Sequence, residues 1–237
     1  MESLRIGRTF DEEMDYYKEE WHDYYPTIIR LVLPNSHVLD VGCARGDLSQ
    51  YLRDKLNCRV TGLDVSDEAV KICKEKGIDA IRCNIEEENA PGKYDAIILC
   101  AILEHLMDPV SVLIKLKGNL EREGNIIVGV PNFSHIMARI SYLLGKNIQY
   151  YDRTLRGMLL GVQPAGHVHF FNKVTLSYLL QRTGYEPVRW SYYKSRGMFG
   201  LYRLPPPHAL FSSFIAVRAK CRTKHSEGIG EMALNRL

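Results

Sequence analysis

Short apolar runs alternate with segments of helical periodicity between about Val38 and Val130. The runs have the length of buried strands, and the segments between them repeat apolar residues every three or four positions. In the first of these segments the apolar stripe comprises Leu48, Tyr51, Leu52 and Leu56. Strands and helices in alternation build a parallel sheet through right-handed crossovers, so this pattern predicts an α/β domain.

The pattern changes after Asn172, which we expect to cap a helix that ends at Gly184. Two strand-like segments follow, from Tyr185 to Tyr193 and from Leu210 to Arg218, with no helical pattern between them. Parallel neighbours need a crossover connection, usually a helix. We therefore predict an antiparallel pair at the edge of the sheet.

Three segments lie outside this core. Residues 10–33 are rich in aromatic side chains and predict an N-terminal helical segment, and residues 133–168 form an insertion with a short helical pattern. Both segments fit a roof over a pocket, and both also fit plain packing against the sheet. Residues 221–237 are polar and predict a loose C-terminal tail. We expect a single domain over residues 1–237.

Composition narrows the class of protein. A chain of 237 residues with 46% hydrophobic content is long enough for one α/β core. The 31 Lys and Arg residues nearly balance the 28 Asp and Glu residues, which gives no case for nucleic acid. No apolar run approaches the 18 or so residues that would span a membrane, and the six cysteines form no metal-binding or disulfide pattern. We expect a cytoplasmic monomer or homodimer with no membrane or nucleic-acid partner.

The first strand runs through an acidic residue into a turn of small residues. Asp40 is followed by Val41 and by the turn from Gly42 to Gly46, after which a helix is predicted. The next strand ends at Asp64, which lies 22 positions after Gly42. At this spacing a neighbouring parallel strand presents a carboxylate to ribose hydroxyls. The pair of motifs predicts a nucleoside cofactor.

The glycine pattern separates two kinds of nucleoside. A dinucleotide fingerprint needs glycine at three positions, here occupied by Gly42, Ala44 and Asp47. The carboxylate of Asp47 at the start of the helix would repel a phosphate, although it suits the positive end of the helix dipole when no phosphate is bound. A nicotinamide-dependent reductase is therefore the least favoured function.

The sequence resembles the class I S-adenosylmethionine-dependent methyltransferases. Its turn, Asp-x-Gly-x-Ala-x-Gly, is similar to their first motif, and Asp64, Asn84-Ile85 and the strand from Tyr94 to Cys100 follow in the order of their later motifs. The continuation is similar to the branch that holds the ubiquinone-biosynthesis O-methyltransferases and the methionine-biosynthesis methyltransferase-like proteins. It comprises Leu103 to Pro109, Val128 to Asn132 and His167 to Phe171. The resemblance covers about Tyr16 to Arg218.

The resemblance implies a fold and a cofactor site. The fold is a Rossmann-like, doubly wound, seven-stranded sheet, mostly parallel with an antiparallel edge strand, plus a small helical insertion after the fifth strand. The cofactor is S-adenosylmethionine, and its implied binding residues are Asp40, Gly42, Ala44, Gly46, Asp64, Val65, Asn84, Ile85 and Cys100. Asp64 would hold the ribose, Asn84 the adenine amino group, and the turn the methionyl part. We expect Ala44 to avoid a positive φ, where a Cβ is strained.

Candidate catalytic residues follow the fourth strand. His105 is a candidate general base, because the unperturbed pKa of a histidine side chain suits that task, and Glu104 precedes it. The alternative is that both residues hold the loop in place through backbone hydrogen bonds. His167 and His169 alternate along an extended segment and are expected to shape the acceptor pocket. A metal site made by these histidines with Glu104 and His105 is a less favoured alternative.

The acceptor itself is not defined by the sequence. Tyr151 and Arg153, with Tyr150 and Arg156 beside them, suit an anionic or aromatic acceptor, although an ordinary solvated surface explains them nearly as well. The leading hypothesis is methyl transfer to a small molecule, to oxygen rather than nitrogen. The alternative is a methyltransferase-like binding or regulatory protein without turnover.

Overall fold

A seven-stranded sheet forms the centre of the protein in its computed structural model, which describes residues 22–145, 167–193 and 208–222. The strands are β1 (His37–Val41), β2 (Arg59–Asp64), β3 (Asp79–Arg82), β4 (Tyr94–Cys100), β5 (Leu120–Pro131), β6 (Tyr185–Tyr192) and β7 (Phe214–Cys221). The helices are α1 (Tyr25–Ile29), α2 (Asp47–Leu56), α3 (Asp67–Glu75), α4 (Pro109–Leu116), α5 (Ile136–Leu143), α6 (Lys173–Arg182) and α7 (His208–Phe211). A short 3-10 helix, Lys117–Asn119, joins α4 to β5.

The strand order is β3-β2-β1-β4-β5-β7-β6. β1 pairs in parallel with both β2 and β4, whereas β7 is antiparallel to both β5 and β6. This arrangement confirms the predicted α/β sheet with an antiparallel edge. The strand order reverses between β1 and β4, and ligands of such sheets bind beyond the carboxyl ends of the strands at that point.

Helices cover both faces of the sheet. Leu39 and Ile97 point into one buried cluster, while their neighbours Val38 and Ile98 point into another. A strand buried on both faces reads as a continuous apolar run rather than as an alternating one, which is the pattern of the sequence.

The predicted cap of one helix is confirmed, and a second helix start is capped in the same way. The side chain of Asn172 accepts hydrogen bonds from the amides of Val174 and Thr175 and forms a capping box with Thr175. Asp108 accepts from the amide of Ser111 at the start of α4, and Pro109 occupies the first turn. Side-chain acceptors satisfy amides that a helix start otherwise leaves unpaired.

Two predicted boundaries are wrong. Within the described part of the predicted helix over residues 10–33, only Tyr25–Ile29 is α-helical. The chain then continues in tighter turns, in which the amides of Leu31 and Val32 donate to the carbonyls of Ile28 and Ile29. The strand predicted from Leu210 begins at Phe214, since residues 208–211 form α7.

Other predictions concern residues outside the described ranges. These include most of the insertion and nearly all of the C-terminal tail. All six cysteines are free thiols. Among the described helices, none has the length and apolar character needed to cross a membrane.

Candidate functional site

The turn after β1 combines three left-handed backbone conformations within five residues. Gly42 has a φ of 71°, Ala44 a φ of 48° and Gly46 a φ of 74°. The expectation that Ala44 avoids a positive φ is therefore wrong. Such a conformation is unfavourable for an alanine and persists only where surrounding contacts enforce it.

Contacts from the next βα unit enforce this conformation. The amide of Ala44 donates to Asp64 Oδ2 at 2.9 Å, and Cys73 Sγ donates to the Ala44 carbonyl at 3.3 Å. Lys76 Nζ donates to the Arg45 carbonyl at 2.8 Å and pairs with Asp47 at 2.5 Å. The turn is thus held on both sides of Ala44 by residues of β2 and by the region of α3.

Gly42 lies directly under a side chain from the loop after β4. A Cβ added at Gly42 would lie 2.1 Å from Cδ1 of Ile102. Ile102 follows Ala101, which itself has a φ of 55°. Sequence reasoning missed Ile102, and the only available signal was an apolar residue just beyond the end of a strand.

Asp64 faces this turn, as its predicted role requires. Its carboxylate is buried, with 6% of the residue surface exposed, and Oδ1 accepts a hydrogen bond from the amide of Ser66 at 3.0 Å. Each carboxylate oxygen accepts more than one hydrogen bond, so the bonds from Ala44 and Ser66 leave capacity for two hydroxyls. The arrangement fits a ribose diol.

Asp40 is a buried carboxylate at the same end of the sheet. Ser49 Oγ donates to its Oδ2 at 2.6 Å, and burial, only partly opposed by this bond, raises the pKa of Asp40 to about 6. Within the described parts of the chain, neither Asp40 nor Asp64 has an ion-pair partner. Two buried carboxyl groups without a cation suit a positively charged ligand.

The predicted adenine residues lie on the adjacent loops. Val65 follows β2 and is half-buried, and Ile85 follows β3 and is buried. The side-chain Oδ1 of Asn84 accepts a hydrogen bond from the backbone amide of Glu86 at 3.1 Å, and the backbone amide of Asn84 donates to Glu88 Oε1 at 2.9 Å. The side chain of Asn84 therefore also shapes its own turn.

Cys100 is the last residue of β4, the strand that leads into the loop of Glu104. Burial raises the pKa of its thiol well above the ordinary value, and the charges of Asp40 and Glu104 act in the same direction. The thiol therefore stays protonated, and Cys100 contributes a neutral wall.

Glu104 is a fully buried carboxyl group in the loop after β4. Neither of its carboxyl oxygens has a hydrogen-bond partner within the described residues, and burial raises its pKa to about 8. Its backbone carbonyl accepts from the amides of Val168 and His169 at 2.8 and 3.2 Å. The backbone of Glu104 therefore joins the loop after β4 to the segment of Val168 and His169, a structural role of the kind given above as the alternative to catalysis. The carboxyl group of Glu104 takes no part in these bonds.

Two imidazoles lie beside Glu104. The rings of His105 and His167 are 4.7 Å apart, and burial, aided by His105, lowers the pKa of His167 to about 4. One ligand atom from each of Glu104, His105 and His167 lies within 4.8 Å of the others, which is close enough for a shared divalent ion. His169 does not belong to this group.

The two described ends of the insertion meet beside this cluster. The amide of Phe133 donates to the Phe171 carbonyl at 2.9 Å, and the Phe133 ring contacts Phe170 at 4.8 Å and His167 at 6.0 Å between centroids. Aromatic rings thus flank the buried carboxyl and imidazole groups. Tyr151 and Arg153, the other predicted acceptor residues, lie outside the described residues.

The chain resembles proteins of known class in sequence and in fold. The ubiquinone biosynthesis O-methyltransferase of Xanthomonas campestris pv. campestris (strain B100) is 31% identical over 111 residues, which cover 44% of this chain and 46% of that protein. The match thus spans about half the length of this relative.

Solved structures match over a greater length. A Thermotoga maritima structure described as an S-adenosylmethionine-dependent methyltransferase, possibly a histamine N-methyltransferase, superposes with a TM-score of 0.62 at 17% identity, covering 90% of this chain and 96% of that one. The 1,6-didemethyltoxoflavin-N1-methyltransferase of Burkholderia thailandensis, with 1,6-didemethyltoxoflavin and S-adenosylhomocysteine bound, superposes with a TM-score of 0.59 at 17% identity, covering 90% and 84%. These likenesses agree with the observed fold.

The family model described as "Methyltransferase domain" matches residues 10–189, more than half of the chain. This match includes every motif that carried the resemblance from the first strand to the histidines at 167 and 169. The chain therefore belongs to the methyltransferase-domain family.

Proposed function

We propose that this protein transfers a methyl group from S-adenosylmethionine to a hydroxyl of a small molecule. The observation that carries the proposal is the buried carboxyl group of Glu104, which has no hydrogen-bond partner within the described ranges. It is flanked by His105 and His167, at the ends of strands that also present Asp40 and Asp64. A cluster of this kind provides hydrogen-bonding and proton-accepting groups beside the cofactor site. S-adenosylmethionine supplies an activated methyl group on a sulfonium.

The cofactor residues act by orientation and charge. Asp64 would accept hydrogen bonds from the ribose, and Asp40 would lie near the cationic methionyl part, where it finds the positive charge it lacks among the described side chains. Methyl transfer is an in-line displacement, and oriented proximity accounts for about 7 to 11 kcal/mol of such a barrier. Binding and alignment are therefore the main contributions of the turn after β1.

The acceptor side supplies the proton chemistry. His105 takes the proton of the acceptor hydroxyl, and Glu104, which at neutral pH is mostly protonated, donates a hydrogen bond to the acceptor. We favour transfer to oxygen because the Xanthomonas campestris relative is an O-methyltransferase. Of the two structural neighbours, one is described as an N1-methyltransferase and the other as a possible N-methyltransferase. His167 and His169 contribute to the acceptor wall in this proposal, and Tyr151 and Arg153 stay predicted acceptor residues.

The experiment proceeds from the cofactor to the acceptor. Calorimetry with S-adenosylmethionine, S-adenosylhomocysteine and NAD should show binding of the first two only. Labelled-methyl transfer to panels of phenols, carboxylic acids and amines then identifies the acceptor class. Binding without transfer to any panel would favour the regulatory alternative, and binding of NAD alone would refute the proposal.

The role of His105 has a separate test. His105→Ala should lower the transfer rate at every pH where the acceptor keeps its proton, by about 100-fold for loss of a general base. His37→Asn is the matched control, because His37 lies at the opposite end of β1 and contacts Tyr94 instead. An unchanged rate in His105→Ala would remove His105 from the mechanism.

A further inference from the structure

Glu86 connects two loops that carry different parts of the site. It lies in the turn after β3, two residues beyond Asn84. Its Oε1 accepts from the amides of Met107 and Asp108, at 2.8 and 2.9 Å, in the loop after β4. A single carboxylate oxygen thus receives two consecutive backbone amides.

A second contact joins the same loops in the opposite direction. Lys115, on α4, donates from Nζ to the carbonyl of Glu88 at 2.6 Å and to that of Glu86 at 3.3 Å. The carboxylate of the turn after β3 therefore accepts hydrogen bonds from the loop before α4, and the Lys115 ammonium on α4 donates hydrogen bonds to the carbonyls of that turn. Hydrogen bonds that involve charged groups are the stronger kind.

The loop held in this way contains the proposed base. His105 lies two residues before Met107, and its amide donates to the Ile102 carbonyl at 2.9 Å. Residue 104 is fixed by the amides of Val168 and His169. The loop of His105 is therefore held by backbone hydrogen bonds at residues 102 to 104, and at its other end by the hydrogen bonds from Met107 and Asp108 to Glu86.

The connection extends to the adenine side of the cofactor site. Asn84 Oδ1 accepts the amide of Glu86 itself, so two consecutive hydrogen-bond steps lead from Asn84 to the loop of His105. We infer that Glu86 is a positioning residue, which fixes the His105 loop relative to the adenine-binding turn and makes the order of that loop depend on cofactor binding. This inference rests on the proposed function, because it takes Asn84 and His105 as parts of one site.

The variants are Glu86→Ala, which removes the acceptor, and Glu86→Gln, which keeps an oxygen at the same place. Glu87→Ala is the matched control, because Glu87 is an exposed acid in the same turn and no side-chain hydrogen bond is described for it. The probe is S-adenosylhomocysteine. Its affinity is measured by calorimetry, and amide hydrogen exchange is followed over residues 101–108 with and without it.

In wild type and in Glu87→Ala, S-adenosylhomocysteine should slow exchange at Met107 and Asp108. In Glu86→Ala, these amides should exchange about tenfold faster, the ligand should no longer slow them, and its Kd should stay within about threefold of wild type. Glu86→Gln should restore the wild-type behaviour. With the acceptor known, Glu86→Ala should lower kcat about tenfold and leave the KM for S-adenosylmethionine unchanged.

Two results would overturn the inference. One is exchange at Met107 and Asp108 that is the same in Glu86→Ala as in wild type. The other is a loss of S-adenosylhomocysteine affinity that parallels the change in exchange, which would make Glu86 a part of the cofactor site or of general stability. If wild type does not bind S-adenosylhomocysteine, the proposed function fails, and the ligand-free exchange comparison still shows whether Glu86 holds the loop.

Discussion

The buried carboxyl group of Glu104 should make the protein less stable as the pH rises. Its pKa is about 8 in the folded protein against an ordinary value of 4.5, because burial disfavours the charged form. The folded state therefore keeps a proton that the unfolded state releases. The stabilisation from this proton is complete below pH 4.5 and is lost as the pH rises to 8 and beyond.

The size of the effect follows from the two pKa values of Glu104. One pH unit corresponds to about 1.4 kcal/mol, so the full difference amounts to about 5 kcal/mol. Glu104→Gln keeps the shape of the neutral side chain and has no proton to lose. We expect this variant to exceed wild type in free energy of unfolding by about 1 kcal/mol at pH 5, about 3 kcal/mol at pH 7 and about 5 kcal/mol at pH 9.

Urea unfolding at these three pH values, with a reductant for the free cysteines, measures the difference. Glu87→Gln is the control, since it makes the same substitution at an exposed side chain in the same part of the protein. A gain for Glu104→Gln that is equal at all three pH values would refute the reasoning. The same substitution should lower the rate of methyl transfer, because a costly buried acid is expected to persist only where activity needs it.

Three further predictions concern ligands. Asp64→Ala should weaken S-adenosylhomocysteine binding by about 100-fold in calorimetry, since it removes two charge-assisted hydrogen bonds, and an unchanged Kd would exclude Asp64 from the site. The affinity for S-adenosylmethionine should rise between pH 5 and pH 7, because its cation prefers the charged form of Asp40, whose pKa is about 6. Asp40→Asn should remove this dependence on pH. A wild-type affinity that does not change with pH would contradict the placement of Asp40 beside the cation. EDTA should leave the methyl-transfer rate unchanged, whereas a loss that Mg²⁺ restores would assign Glu104, His105 and His167 to a cation.

The parts of the site that depend on strand ends were predictable from the sequence. Asp40, Gly42 and Asp64 lie at the ends of apolar runs, and parallel strands bring such ends to one edge of a sheet. The sequence also predicted the antiparallel edge, because the helical pattern is absent between the last two strands. These features follow from periodicity, which is a local property.

Other parts depend on contacts between residues distant in sequence. The carboxylate of Glu86 binds amides 21 and 22 positions further along the chain, and the residue itself is an ordinary exposed acid in sequence. Among the described residues, the lack of a hydrogen-bond partner for the buried Glu104 carboxyl group likewise depends on how the chain packs around it. Periodicity and local motifs carry no record of such contacts.

Ala44 shows how tertiary structure overrides a local preference. An alanine with a positive φ is unfavourable by itself, so local reasoning predicted ordinary backbone. In the structure, Asp64 binds its amide, Cys73 its carbonyl and Lys76 the next carbonyl. Three tertiary hydrogen bonds can offset a local cost of about 1 to 2 kcal/mol.

Strained backbone is found at the end of the sheet where β1 and β4 terminate. Within the described residues, four residues other than glycine have a positive φ: Asn35, Asn57, Ala44 and Ala101. The two asparagines precede β1 and follow α2, at the edge away from the cofactor turn, and asparagine tolerates this conformation. The two alanines follow β1 and β4, the strands between which the order reverses, and alanine has no such tolerance. Strain that residue type does not explain is therefore concentrated beside Asp64 and Glu104, where ligand binding supplies a reason for it to persist.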